Sequence, residues 1–393
     1  MTAAGIICEL NPLHSGHAYL MARLRQQGAD AIVCAMSGNF VQRGEPALVN
    51  KLSRGEMALA CGADLVLELP TPWAMATAET FARGGVQLLA MAGCTHIAFG
   101  SECGDAALLQ RTADALLAPE LGETIRRELA AGVTYAAARQ RAVQARLGED
   151  AAVLRRPNDT LAVEYLKACR QQKVDITPIV IQRVGAAHDG APKAGCASAT
   201  HIRQLVREGS VEEACAYMPE AAAELLRREL AAGRTADGRN VERAILASLR
   251  QMSEEDFAAY DGGGEGLYHR VYDAVRRCAT VEELLTAVKT KRYTAARLRR
   301  LVLSAWLGLS EAPAVMPYAR VLAANGTGRA LLRQMKQAER PVLTKAADVA
   351  ALGPAAETLF RREAAYTDLY TLSYAALRQS VPGSDWRLTP VMK

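Results

Sequence analysis

Short apolar runs alternating with helix-patterned stretches dominate the first half of this chain and leave it few folds. The runs are Gly5–Cys8, Ala31–Met36, Asp64–Leu69, His96–Phe99 and Ile176–Ile181. They carry β-branched residues without polar alternation, the pattern of strands buried on both faces. Between them, helical spacing predicts helices over Gly16–Gln27, Lys51–Cys61, Thr77–Ala92 and Asn158–Gln171. A βαβα order with right-handed crossovers builds an α/β fold, a Rossmann-like doubly wound parallel sheet. Such sheets take their ligands at the carboxyl ends of the strands. His14-Ser15-Gly16-His17, Ser37-Gly38-Asn39 and Gly100-Ser101-Glu102 all fall at such ends.

From about Val211 onward helical patterns take over, at Ala221–Leu230, Val241–Met252, Leu267–Cys278 and Val281–Val288. The glycine-rich stretch 261–266 lacks a following Lys-Ser/Thr and reads as a connector rather than a phosphate loop. With 393 residues there is length for two cores. The expected division is a catalytic sheet domain over 1–212 and a mostly α-helical domain over 213–393.

Charge follows the same division. Residues 1–215 hold 21 Lys+Arg against 22 Asp+Glu, whereas 216–393 hold 26 against 20, which accounts for the net +5. The densest cationic piece, Lys289 to Arg300, has six cations and no acid. With Tyr293 inside it and Trp306 beyond, it is the candidate surface for a nucleic-acid backbone. No apolar run approaches the ~18 residues of a membrane span, and the first apolar run is broken by Glu9 without a basic lead-in. The nine cysteines show no CxxC or metal-ligand spacing. These features predict a cytoplasmic protein with reduced thiols and no dedicated metal site.

The tetrad His14-Ser15-Gly16-His17 turns the first strand into the first helix. Backbone N–H groups and the helix dipole at such a start favour phosphate, and two imidazoles three residues apart can face it together. Adenylyl-transferring enzymes use this arrangement to hold ATP. Capping or packing alone would also account for either histidine. A second element, Ser198-Ala199-Thr200-His201-Ile202-Arg203, opens another helix. A serine there is ordinarily an N-cap, but Ser198, Thr200 and Arg203 could also converge on a polyphosphate across the crevice.

Further segments narrow the family. They include ELNPLHSGH at 9–17, MSGNFVQRGEPALVNK at 36–51, DLVLELP at 64–70, ETFARGGVQLL at 79–89 and FGSE at 99–102. RPNDTLAVEYLKA at 156–168, QRVGAAHD at 182–189, SATHIR at 198–203, KTKRYTAARLRR at 289–300 and YARVLAANGTGRALL at 318–332 follow in order. Over nearly its whole length the chain resembles the bacterial tRNA(Met) cytidine acetate ligase family of the HxGH nucleotidyltransferases. The resemblance implies that ATP activates acetate as acetyl-adenylate. The acetyl group then passes to N4 of the wobble cytidine of elongator tRNA(Met).

Carried over residue by residue, the resemblance places ATP against the loop Ile7, Cys8, Glu9, Leu10, Asn11, Pro12, Leu13, His14, Ser15, Gly16, His17, Ala18, Tyr19 and Leu20. It adds Gly100, Asn158 and Arg183. The expected catalytic set is His14, His17, Arg183 and Arg203, with Mg2+ carried on the phosphates. Lys289, Lys291, Arg292, Arg297, Arg299 and Arg300 are the expected tRNA phosphate contacts. Loop 37–45 is a candidate lid over acyl group or base, and Glu9 or Asp189 a candidate acceptor for the N4 proton. Two rivals stand beside this reading: an adenylyltransferase acting on a small phosphorylated cofactor precursor, and an RNA-binding protein with a vestigial nucleotide site.

Overall fold

A computed structural model describes residues 2–183, 197–261, 266–309 and 311–393. Its main sheet is built from β1 (Ala3–Cys8), β2 (Ala31–Ser37), β5 (Leu65–Leu69), β6 (His96–Ser101), β7 (Thr177–Gln182) and β8 (Ala319–Ala324). Two short strands, β9 (Val342–Leu343) and β10 (Val391–Met392), complete it, and β3 (Phe40–Val41) pairs with β4 (Glu45–Pro46) in a separate hairpin. The order is β10-β8-β5-β2-β1-β6-β7, with β9 also on β8. Strands β5-β2-β1-β6-β7 are parallel. Strand order reverses between β1 and β6, and there the crevice opens.

The helices that matter to the site are α1 (Ser15–Gln26), α2 (Lys51–Ala60), α3 (Ala78–Met91), α4 (Pro157–Gln171) and α5 (Ala199–Arg207). Farther on come α6 (Gly238–Gln251), α7 (Val281–Val288), α8 (Ala295–Leu307) and α9 (Pro354–Thr371). Side-chain caps start several of them: Asn50 accepts from Ser53 N–H, Thr77 from Thr80 N–H and Thr294 from Arg297 N–H. Gly308, at φ +59°, ends α8 in the left-handed region where a Cβ would be strained.

Successive residues of the strands face opposite layers, so a continuous apolar run is what the sheet needs. Ile7, Val33 and Leu67 pack with Trp73, Phe81, Leu89 and Phe360 on one face. Ile6, Cys34 and Val66 pack with Leu24, Met57, Ile202, Leu226 and Leu322 on the other. A third core holds the helical part, with Phe40, Val241, Ile245, Leu284, Tyr293, Trp306 and Tyr370.

The division expected after residue 212 is not a division of the sheet. β8, from the far half of the chain, runs antiparallel on β5 with Arg320 opposite Glu68. The joint is sealed by buried charge. Lys51 Nζ lies 2.7 Å from both Glu68 Oε1 and Asp385 Oδ2, and Arg320 Nη1 is 2.8 Å from Asp385 Oδ2. Glu363 of α9 accepts both the N–H and the hydroxyl of Thr71 at 2.9 Å. The strand pattern of 319–324 was overlooked because it lies among helical stretches; its six residues are all buried. The far half is mostly helical, as expected, and it also supplies both an edge of the main sheet and a core of its own.

Candidate active site at the carboxyl edge of the sheet

β1 ends at Cys8, and the chain turns sharply before α1. Leu10 takes φ +48° although it carries a side chain, and that side chain is fully buried. A non-glycine residue held there costs of the order of 1–3 kcal/mol and needs strong surroundings. Arg54 supplies them. Its buried guanidinium donates to the carbonyls of Val49 (3.0 Å), Glu9 (2.6 Å), Ser37 (3.1 Å) and Gly38. It thus ties together the ends of β1 and β2, which expose carbonyls that no strand partner can satisfy.

The two histidines cap each other. His14 Nδ1 accepts from Gly16 N–H at 3.1 Å, and His17 Nδ1 accepts from His14 N–H at 3.3 Å. Their ring centroids are 3.9 Å apart. Accepting at Nδ1 puts the hydrogen of each neutral ring on Nε2, so both present an Nε2–H donor. Burial, then the neighbouring His14 and Arg183, hold the His17 imidazole well below its ordinary value. His17 is thereby neutral at physiological pH, a donor that costs no charge separation.

The free backbone N–H groups expected at the start of α1 are already engaged. Ser15 donates its N–H (3.0 Å) and its hydroxyl (2.8 Å) to Tyr217 O, and His17 N–H meets His14 O at 2.9 Å. What the tetrad offers a ligand is therefore its imidazoles. Of the rest of the expected loop, Ile7, Cys8, Leu10, Asn11, Pro12 and Leu13 are buried, whereas Tyr19 is exposed.

Across the crevice, β6 and α4 lock each other through paired carboxylates. Glu102 accepts from Asn158 Nδ2 at 2.5 Å and from the N–H of Asp159 at 2.9 Å. Asp159, fully buried, accepts in return from Ser101 Oγ at 2.5 Å and from the N–H groups of Glu102 (2.8 Å) and Cys103 (3.1 Å). These hydrogen bonds hold the Glu102 carboxyl below its usual range despite partial burial. Gly100 gives Arg183 room: a Cβ there would stand 3.1 Å from Arg183 Cγ, so the arginine stem would have to shift slightly. The exposed Arg183 side chain makes no hydrogen bond or ion pair among the described residues, and its charge reaches His17.

The second helix-opening motif is put to other use. Ser198 Oγ caps His201 N–H at 3.2 Å. Arg203 is buried, donates to Asn11 O at 2.7 Å and pairs with Glu45 at 2.5 Å. Thr200 Oγ1 lies 3.4 Å from Arg43 Nη1 and 3.5 Å from Arg203 Nη2. Arg203 therefore braces the tetrad's loop, with both of its terminal nitrogens taken. Glu9 accepts from Gln42 N–H at 2.8 Å, and burial, with Glu45 nearby, raises its carboxyl. Asp189 lies outside the described residues.

Loop 37–45 is not an open lid. Its Phe40 is buried edge-on against Trp306 and Tyr370, with centroids 6.3 and 5.9 Å away. Gly44, at φ +73°, passes so close to α8 that a Cβ would meet Arg300 N at 2.5 Å. Arg299 Nε donates to Arg43 O at 3.0 Å and Arg300 Nη1 to Gln42 O at 2.9 Å. The expected phosphate contacts accordingly separate into two groups. Lys289, Lys291 and Arg292 are exposed. Arg299 and Arg300 hold the hairpin, and burial pulls Arg300 down to about 10. Arg297 donates to Asp261 O at 3.2 Å and lies over the Tyr293 ring, 5.0 Å from its centroid. Tyr293 and Trp306 are core residues rather than stacking platforms. Arg54, Glu45, Glu102 and Asp159 were missed as site residues, since no sequence spacing marks which carbonyls a buried Arg or carboxylate will collect.

Sheet order, crevice position and paired imidazoles define a nucleotidyltransferase of the HxGH class. A family model described as HIGH Nucleotidyl Transferase matches residues 1–383. A tRNA(Met) cytidine acetate ligase of Acetivibrio thermocellus is 36% identical over 95% of each chain. One from Syntrophomonas wolfei is 34% identical over 100% of this chain and 99% of that one. The crystal structure of Thermotoga maritima TmcAL bound with alpha-thio ATP superposes with a TM-score of 0.93 at 30% identity, covering 100% of this chain and 99% of that one. Its apo form gives 0.95 at 31% identity. The chain belongs to the tRNA(Met) cytidine acetate ligase family.

Proposed function

We propose that the protein joins acetate to N4 of the wobble cytidine of elongator tRNA(Met) at the expense of ATP. The observation that carries this reading is the pair of Nε2–H donors at the end of β1, in a chain that matches the ligases from end to end. An acetate oxygen attacks the α-phosphorus in line and pyrophosphate leaves, giving acetyl-adenylate. The cytidine N4 then attacks the acetyl carbonyl, AMP leaves, and N4 gives up a proton.

Acetate alone would have to expel oxide, whereas the mixed anhydride expels AMP. Catalysis of the first step is positioning and charge neutralisation. His14 and His17 donate to the oxygens on which charge develops, and Arg183 adds a full positive charge at the same place. Gly100 lets the nucleotide lie against the β6 backbone, while the Glu102–Asn158–Asp159 clamp keeps that turn in place. Among the described residues no group of three or more His, Cys, Asp or Glu is placed to hold a metal ion. We infer that magnesium arrives on the nucleotide phosphates. The exposed Lys289, Lys291 and Arg292 serve tRNA phosphates.

The test is transfer of [14C]acetate to bulk tRNA with and without ATP. ATP-dependent label on a cytidine of tRNA(Met), lost in His17→Ala, supports the reading. No label, with AMP appearing on a phosphorylated cofactor precursor, would replace it with the adenylyltransferase. Tight tRNA binding without ATP turnover would favour a vestigial site.

A further inference from the structure

A half-open cavity of about 430 Å³ lies where the catalytic hairpin meets the helical part of the protein. Its apolar wall comes from Ile245 of α6, Leu285 of α7, and Leu303 and Trp306 of α8. Gly44, Glu45 and Pro46 of the hairpin form the opposite side. No residue of the tetrad loop lines it, so it is a separate chamber from the crevice between β1 and β6. Its volume falls in the roughly 300–1,000 Å³ range of small-ligand sites.

The charged groups around the cavity are of both signs. Arg207 and Arg239 are exposed, and Arg207 makes no hydrogen bond or ion pair among the described residues. Carboxylates of Glu45, Glu242 and Glu282 stand among them. A phosphate would be repelled by that many acids. Arg239 is paired with Asp237 and Glu45 with Arg203, but a fatty acyl chain or an apolar peptide would leave Arg207 and the Glu282 carboxylate unused. A nucleobase suits the combination: two apolar faces for the wall, and an edge of donors and acceptors for guanidinium and carboxylate. The exposed Lys289, one helical turn beyond Leu285, and Lys291 and Arg292 after it would take the neighbouring phosphates.

We propose that this cavity binds an unstacked base of the RNA substrate, one flanking the cytidine that is acetylated. The inference rests on the tRNA reading above. Its separation from the tetrad loop assigns it to a base other than the reacting one. Single-stranded loop bases are splayed readily and are the usual targets of sequence-selective RNA recognition. One wall of the chamber is also tied to the catalytic loop: Glu45 pairs with Arg203 at 2.5 Å, and Arg203 holds Asn11 O at 2.7 Å. A base seated there would lie beside the hairpin that carries Glu45 of this pair.

The probe is the anticodon stem–loop of elongator tRNA(Met), with 2-aminopurine placed at each loop position in turn except the wobble cytidine. It is titrated into the full-length protein and into Leu285→Trp, which fills the chamber, and Arg207→Glu, which alters its rim. Expected is a fluorescence change confined to one or two loop positions, absent in Leu285→Trp. RNA binding should weaken roughly 5- to 150-fold in that variant, the span of one base stack. Melting temperature and ATP affinity should match the unsubstituted protein, which separates lost recognition from lost fold. If Leu285→Trp does not fold, Arg207→Glu alone must weaken the RNA with ATP affinity intact.

Equal response at all loop positions, or unsubstituted affinity in a folded variant, overturns the proposal. A small apolar molecule or protein segment as the true occupant would give that second result. In that case acetylation of tRNA(Met) by the unsubstituted protein still stands and only the cavity assignment falls. Absence of acetylation by the unsubstituted protein instead removes the tRNA reading and this inference together.

Discussion

Asp159→Asn tests whether the turn after β6 is what positions ATP. The Asp159 carboxylate is fully buried and accepts from Ser101 Oγ (2.5 Å), Glu102 N–H (2.8 Å) and Cys103 N–H (3.1 Å), with Arg156 Nη1 3.7 Å from Oδ2. Asparagine keeps one acceptor oxygen. Turned so that this oxygen serves Ser101 and Glu102, it sets an NH2 against the Cys103 N–H, two donors face to face. One hydrogen bond to a charged acceptor is lost, about 1.5–3 kcal/mol. The two that remain become neutral and lose roughly half their strength. The total is about 3–6 kcal/mol, and even its lower end is a factor of order 10² if all of it appears as displacement of the turn.

The assay is acetate-dependent ATP–pyrophosphate exchange over a range of ATP concentrations, run beside thermal unfolding. The expected result is a KM for ATP raised at least tenfold, with a lowered melting temperature and retained far-UV dichroism. A melting temperature that falls while KM stays within twofold would refute the link between turn and nucleotide. If neither changes, the hydrogen-bond reasoning itself is wrong.

His17→Ala should slow exchange by ~10²–10³, the usual cost of one donor to developing charge. Because the His17 imidazole is held below its ordinary value of about 6.5, its working neutral form persists as pH falls through that value; exchange that rises on acidification through pH ~6.5 would contradict the neutral donor. Glu45→Ala strands the buried Arg203 guanidinium and should cost about 3 kcal/mol, the low end for a buried pair since Glu45 is one-fifth exposed; denaturant unfolding measures it, and Glu45→Gln should lose less. Burial and the adjacent Glu68 push Glu363 up to about 8. The folded state then holds a proton that the unfolded chain releases near its ordinary value, so this contribution is complete below pH ~4.5 and lost as pH rises through 8. Melting temperature should fall between pH 6.5 and 8.5, and Glu363→Gln should flatten that slope. Lys291→Ala and Arg292→Ala should each lower the slope of log K for tRNA against log salt by about 0.7–0.9 and leave ATP affinity unchanged.

The parallel half of the sheet was legible because each strand is an apolar run bounded by helix signals, and period alone distinguishes the two. Predicted limits such as Ala31–Met36 differ from the observed Ala31–Ser37 by a residue. β8 escaped notice because it lies among the helical stretches of the far half, although its Val321-Leu322-Ala323 is as apolar as β2. For the site, composition and order led to His14, His17, Gly100, Asn158 and Arg183; in the structure Arg183 lies beside Gly100 and its charge reaches His17, while Asn158 holds Glu102 at the end of β6. The same reading offered Arg203 and Arg299 as phosphate ligands, whereas the structure engages Arg203 with Asn11 O and Glu45, and Arg299 Nε with Arg43 O. A guanidinium within reach of a carbonyl is satisfied there, and only the folded chain says which carbonyl is near. Tyr293 and Trp306 misled in the same way, since an aromatic among cations reads alike whether it faces solvent or core.

The pieces that sequence could not join make one mechanical series. α8 fixes the hairpin through the Arg43 and Gln42 carbonyls, and the hairpin returns Gln42 N–H to Glu9 and Glu45 to Arg203. Arg203 and Arg54 then hold the Asn11 and Glu9 carbonyls of the strained turn that carries the two histidines. Each link is a short, directional bond between largely buried groups, so displacement at one end is poorly absorbed by rotamer change along the way. An arrangement in which the basic helix and the adenylation loop share a brace suits a two-step reaction. The reactive anhydride formed in the first step is useful only when the second substrate is in place. On this reasoning the Glu45–Arg203 pair is the link whose loss would most directly slacken the loop that carries the two imidazoles.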